Sequence, residues 1–146
     1  MRRSTIYITL VILVLAASLT GCLKEDAYEI RSVAAEPAEV AAGSTTTITV
    51  EVGKAAGRQQ VQHTDTVSVK LSAPEGLTVT PVILGFEEDV GDNTLRIVMR
   101  PGAVLPRSFT FEVTIPPFTP KGEIKLTATM QFKARTDTRE VIVLVK

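Results

Sequence analysis

Few side chains in this sequence have the types and spacing that chemistry requires. The densest set of oxygen ligands is Glu87-Glu88-Asp89-Val90-Gly91-Asp92-Asn93. Calcium takes about six to eight oxygens from carboxylates and carbonyls. Glu87, Glu88, Asp89 and Asp92 around Gly91 therefore make a candidate calcium loop. Their spacing does not follow the D-x-[DN]-x-[DN]-G-x5-E pattern. An acidic hairpin tip kept in water is the expected reading, with calcium as its alternative. His63 lies two residues before Asp65, and His and Asp are two of the three residue types of a Ser-His-Asp triad. No G-x-S-x-G nucleophile elbow accompanies them, so His63 reads as a polar loop residue. Arg135-Thr136-Asp137-Thr138-Arg139 reads as a charged hairpin turn whose basic tip can touch anionic headgroups or glycans. No Gly-rich phosphate loop, paired catalytic carboxylates or Ser/Lys dyad is recognisable. The remaining candidate is Cys22, the only thiol.

Composition narrows the field. The 146 residues include 16 Lys+Arg and 16 Asp+Glu, one His, one Cys and no Trp. Zero net charge argues against nucleic acid, whose partners carry a basic surplus. One cysteine excludes a disulfide framework and a Cys-rich zinc site. One histidine leaves little acid–base machinery. The chain therefore reads as non-enzymatic, with no cofactor.

Its N-terminus carries an address. Arg2 and Arg3 precede an uncharged run from Ile6 to Leu19. A basic segment followed by a short apolar one is a secretory signal, expected here as a helix. Leu19-Thr20-Gly21-Cys22 then resembles the lipobox of prokaryotic lipoproteins. Leu19 stands three residues before the Cys, and the small Gly21 stands directly before it. The resemblance covers residues 1–22. It implies cleavage between Gly21 and Cys22, a diacylglyceryl thioether on Cys22, and acylation of the new amine by a palmitate-type chain. Each buried CH₂ contributes about 0.8 kcal/mol, so two or three chains anchor a domain that one would not. The alternative is an uncleaved helix from Ile6 to Leu23, about the minimum length that spans a bilayer. Either arrangement leaves the arginines inside and the domain on the extracytoplasmic side of the cell membrane. Removing residues 1–21 takes two arginines and no acid. The mature 125 residues then hold 14 Lys+Arg against 16 Asp+Glu, a net charge of −2.

These groups must be positioned by strands. Ile48, Val50 and Val52 alternate with Thr47, Thr49 and Glu51. The same period of two runs through Val67 to Leu71, Leu95 to Met99, Phe109 to Ile115 and Ile124 to Phe132. Alternation of this kind marks sheets with one wet and one buried face. Pro74-Glu75-Gly76, Gly91-Asp92-Asn93, Pro101-Gly102 and Pro120-Lys121-Gly122 punctuate the runs as turns. The expected strands are 28–35, 45–53, 66–72, 77–84, 94–100, 108–115, 123–133 and 138–145. The last, Val141 to Val145, is apolar on both faces and is expected to be covered on both. Gly53 to Thr64 has no strand pattern, and replacing Ala55 to Gln62 by a short Gly-Ser linker is expected to leave stability nearly unchanged. Seven to eight short antiparallel strands predict an all-β sandwich.

Strand-and-turn segments also resemble the immunoglobulin-like modules of prokaryotic surface proteins, such as the CARDB and NPCBM-associated (NEW3-type) domains. They are Val69-Lys70-Leu71-Ser72-Ala73-Pro74-Glu75-Gly76-Leu77, Pro101-Gly102 ahead of Phe109 to Pro116, and Pro120-Lys121-Gly122 opening the next strand. The resemblance covers roughly residues 66–145. Ile124 stands where those modules often place an aromatic, and the long Gly53–Thr64 insert stands where they often have a short turn. It implies a binding or spacer role and transfers no site residue. The expected organisation is signal peptide 1–21, lipidated Cys and tether 22–29, and immunoglobulin-like sandwich 30–146. Expected partners are the membrane, through the lipid, and another envelope protein or a surface glycan. The alternative is a solute- or calcium-binding lipoprotein using loop 87–93.

Overall fold

The computed structural model describes residues 27–54 and 60–146. The expected signal helix, the lipobox and Cys22 lie outside the described residues, as does the middle of the Gly53–Thr64 insert. Among the described residues all regular structure is β. The strands are β1 (Tyr28–Glu36), β2 (Glu39–Val40), β3 (Thr45–Lys54), β4 (Asp65–Ser72), β5 (Thr78–Val82), β6 (Glu88–Asp89), β7 (Thr94–Met99), β8 (Arg107–Thr114), β9 (Gly122–Phe132) and β10 (Arg135–Val145). They form two sheets, ordered β1-β3-β8-β5 and β2-β10-β9-β4-β7-β6.

Alternation decides what lies between the sheets. Ile48, Val50 and Val52 of β3 and Phe109, Phe111 and Val113 of β8 point inward from one sheet. Val67, Val69 and Leu71 of β4 and Leu126, Ala128 and Met130 of β9 meet them from the other. All of these are fully buried. The buried hydroxyl of Thr46 is satisfied by donating to the Pro37 carbonyl at 2.7 Å. Gly76 and Gly91 take positive φ in their turns, as their positions predict, and Asp92 and Asn93 follow Gly91 into the left-handed region.

Several expectations are corrected. Among the described residues there are ten strands, because the two-residue β2 and β6 escape a search for periodicity. The sheets are not wholly antiparallel: β2 pairs parallel with β10. β1 begins at Tyr28, where the expected strand does, and runs one residue further, to Glu36. β5 ends at Val82, which leaves Ile83 and Leu84 beyond it and exposed. The last hairpin turns at Lys133-Ala134, with Lys133 in the left-handed region, and Arg135 to Arg139 are strand. β10 is not covered on both faces, because Ile142 is 49% exposed.

The pairing also defines two ends. Tyr28 lies opposite Lys54, Val52 opposite Arg107, Asp65 opposite Met99, and Phe132 opposite Arg135. The start of β1 therefore shares one end, the tether end, with the β3–β4, β7–β8 and β9–β10 connections. The β4–β5, β6–β7 and β8–β9 connections lie at the far end.

Phe111 is wholly buried and Thr110 is only half-buried on the opposite face. Phe111→Ala is expected to cost about 3–5 kcal/mol in denaturant unfolding, and Thr110→Ala under about 1 kcal/mol. Equal losses would show that the inward face is misassigned.

Candidate functional site

The four acidic candidates do not converge. Glu88 sits on edge strand β6 and bonds Arg96 of β7 at 2.7 Å. Asp92, in the β6–β7 turn, pairs with Lys70 of β4. Asp89 accepts the Gly91 amide at 2.9 Å, and Glu87 accepts the Gly85 amide at 2.6 Å. Each carboxylate answers a partner of its own, which is how a short edge hairpin closes and stays in water. Among the described residues no group of three His, Cys, Asp or Glu is arranged to hold a metal. His63 is exposed in the β3–β4 connection. Asp65 is engaged elsewhere, accepting the Tyr28 hydroxyl at 3.1 Å. Gly21 and Cys22 lie outside the described residues.

The insert is not free of the fold. Gln60 bridges Val104, and Val61 is 2% exposed within the core. The Val61 amide donates to Ala103 at 3.0 Å, and its carbonyl accepts the Gly102 amide at 2.8 Å. Losing that side chain would cost about 1.5–3 kcal/mol of burial. A linker replacing Ala55 to Gln62 would therefore not be neutral. A single Val among Gln and His residues carries no period, so the sequence gives no sign of its burial.

Two concavities open near the tether end. The first, of about 270 Å³, lies between Ala27-Tyr28-Glu29 and the start of β10, where Arg135, Asp137 and Arg139 line it. Just beyond it β1 carries a bulge. The β1–β3 register shifts between Ile30 and Ser32, which turns Arg31 outward. The shift moves the inward phase from Tyr28 and Ile30 to Val33 and Ala35, as a one-residue insertion must. The Ile30 amide is caught across the sandwich by the Asp137 carboxylate at 2.8 Å. Tyr28 reaches across as well. Its ring stands edge-on to Phe132 of β9, centroids 4.4 Å apart at 78°, and the buried Lys54 ammonium lies 5.9 Å from its centroid.

The second concavity, of about 520 Å³, follows the outer edge of β7. Phe86, Glu88, Val98, Arg100, Ala103 and Arg107 help to line it. β6 pairs only with Leu95 and Arg96. Among the described strands none pairs with Ile97 to Met99 on that side. The Arg107 Nε is buried there with no hydrogen-bond partner among the described residues. Phe86 is 85% exposed and Leu84 73%. These two are the residues that sequence reasoning missed. Their signal is an apolar pair around Gly85 placed after the alternation of β5 has ended.

No family model and no curated protein matches the sequence. Among solved structures, a conjugative transposon lipoprotein from Bacteroides eggerthii is similar at 14% identity and a TM-score of 0.45, over 79% of this chain and 94% of that one. Spo0M, a sporulation control protein from Bacillus subtilis, is similar at 16% identity and a TM-score of 0.45, over 84% of this chain and 50% of that one. BslA, a bacterial hydrophobin, is similar at 10% identity and a TM-score of 0.40, over 85% of this chain and 97% of that one. The roles of these proteins do not pass to this chain on such likenesses.

Two outcomes test the site. Asp137→Ala leaves the Ile30 amide without its acceptor and is expected to cost about 1–3 kcal/mol, whereas Thr136→Ala, exposed beside it, should stay within about 0.5 kcal/mol. Millimolar calcium is expected to leave the melting temperature unchanged, because the four carboxylates are turned to separate partners. A rise with calcium would show that they can gather around one ion.

Proposed function

We propose that this protein is a lipid-anchored extracytoplasmic lipoprotein whose single immunoglobulin-like sandwich is a non-catalytic binding or structural module of an envelope complex. The observation that carries this reading is one of sequence and fold together. Leu19-Thr20-Gly21-Cys22 follows a basic and apolar leader, and the first strand starts at Tyr28, six residues after the Cys. Signal, lipidated residue and folded domain then follow one another with only a short tether between.

The strand order supports the immunoglobulin-like assignment. With β2 and the β6–β7 hairpin set aside, the orders are β1-β3-β8-β5 and β10-β9-β4. These correspond to the A-B-E-D and G-F-C sheets of a constant-type sandwich. The hairpin is then an addition at the outer edge of β4, and β2 an addition beside β10. The module is of the kind for which the CARDB and NEW3-type domains stand. Its carboxylates close turns and edges, which suits a rigid scaffold more than acid–base chemistry. Another envelope protein or a surface glycan is the partner such a module would serve.

Cys22→Ser tests the anchor. In a bacterial host supplied with labelled fatty acid, the parent chain should take up label and the variant should accumulate as an unlabelled precursor. Equal labelling of the two would end the lipoprotein reading, and membrane retention without any label would favour the uncleaved helix.

A further inference from the structure

We propose that the tether end of the sandwich is itself a membrane contact, with Leu84 and Phe86 entering the acyl boundary of an anionic phospholipid surface and Arg100 and Arg135 meeting its headgroups. This rests on the anchored reading and extends it from the lipid on Cys22 to the folded domain. Three observations lead to it.

The first is reach. Cys22 and Tyr28 are six residues apart. Fully extended, that stretch spans at most about 20 Å. The 11-residue β9 runs from the far end to the tether end, about 36 Å at the rise of a strand. A domain held at Cys22 therefore cannot present its far end to the bilayer. Its tether end or the adjoining flank must face the lipid.

The second is exposure. Phe86 is 85% exposed, Leu84 73%, Val104 61% and Ile83 54%. Phe86 shares its cleft with Arg100 and Ala103 of the β7–β8 connection, which places it beside the tether end. Val104 belongs to that same connection. Phe118 at the far end is exposed as well but lies outside the reach of the anchor; exposed apolar side chains within that reach mark an interaction surface.

The third is charge. Arg100, Lys133 and Arg135 are exposed in or beside the tether-end connections. The nearby acids Glu87 and Asp65 each accept a hydrogen bond from within the fold. The far end instead carries Glu36, Glu39, Glu75, Asp92 and Glu123 against Lys121, Lys70 and Lys146, with Asp92 bonded to Lys70 and Glu39 to Lys146, and so keeps an acidic surplus. Exposed apolar side chains and cations at one end suit an interface between acyl chains and anionic headgroups. The acidic far end would be repelled by it.

The test uses the purified lipidated protein in vesicles. The chain has no Trp, so one introduced indole reports alone. Phe86→Trp places it at the tether end. Phe118→Trp places it in the β8–β9 connection at the far end, where Phe118 is 96% exposed. Both sites are outside the core, and circular dichroism verifies each fold. In phosphatidylcholine vesicles containing one-third phosphatidylglycerol, bromine-labelled acyl chains should quench Phe86→Trp several-fold more than Phe118→Trp, with a blue-shifted emission. Adding Arg100→Gln and Arg135→Gln should reduce that quenching, as should removing the phosphatidylglycerol. The intact mass of the same sample reads acylation of Cys22 independently. Acylated protein with Phe86→Trp unquenched, or quenched no more than Phe118→Trp, would overturn the contact and leave the anchor standing. Quenching of Phe86→Trp without acylation would overturn the anchor and leave the contact standing.

Discussion

A slip of one residue in any long strand would carry its buried side chains into water, and the rest of the molecule depends on that penalty. In β8 the slip would expose Phe109, Phe111 and Val113. At about 1.5–3 kcal/mol each, their exposure would cost as much as small domains usually have in total stability. The penalty locks β8 between β3 and β5 and β9 between β4 and β10. The bulge in β1 obeys the same rule. By turning Arg31 outward it lets both halves of the strand keep their apolar side chains inward, and Asp137 accepts the Ile30 amide beside it.

Fixing the strands also fixes what shares an end. The first strand enters where Lys54, Met99, Arg107 and Phe132 terminate or begin theirs. Tyr28 binds that end together by reaching Phe132 and Asp65 on the opposite sheet. The point where the chain enters the fold is thus tied to both sheets. The same end holds the exposed Phe86, Val104, Arg100 and Arg135, while Phe118 stands exposed at the far end. The far end, built from turns with Glu75, Asp92 and Pro residues, is acidic. The polarity of the domain is a product of register.

What the sequence disclosed followed the strength of its periods. The long strands and the inward positions of Phe109, Phe111, Leu126 and Met130 were legible because each repeats at a spacing of two beside a turn. β2 and β6 were not, since two residues carry no period. The last hairpin misled for a chemical reason. Thr136-Asp137-Thr138 has the residues of a turn, but Asp137 is used across the sandwich, and the true turn at Lys133-Ala134 has neither Gly nor Asn to mark it. The acidic loop was legible as a hairpin but not as a set of separate pairs, because Lys70 and Arg96 come from other stretches of chain. Val61 and Phe86 invert the usual expectation, one apolar residue buried in a polar insert and another exposed after a strand. Tertiary packing, absent from any local pattern, decided both.

The membrane anchor proposed at Cys22, a short tether ahead of this sandwich, is open to intact-mass and N-terminal fragment analysis of the protein extracted from bacterial membranes. The anchored protein should begin at Cys22 and carry a diacylglyceryl group on Sγ, with residues 1–21 gone. A chain that still begins at Met1, or a Cys22 with an unmodified thiol, would contradict that anchor.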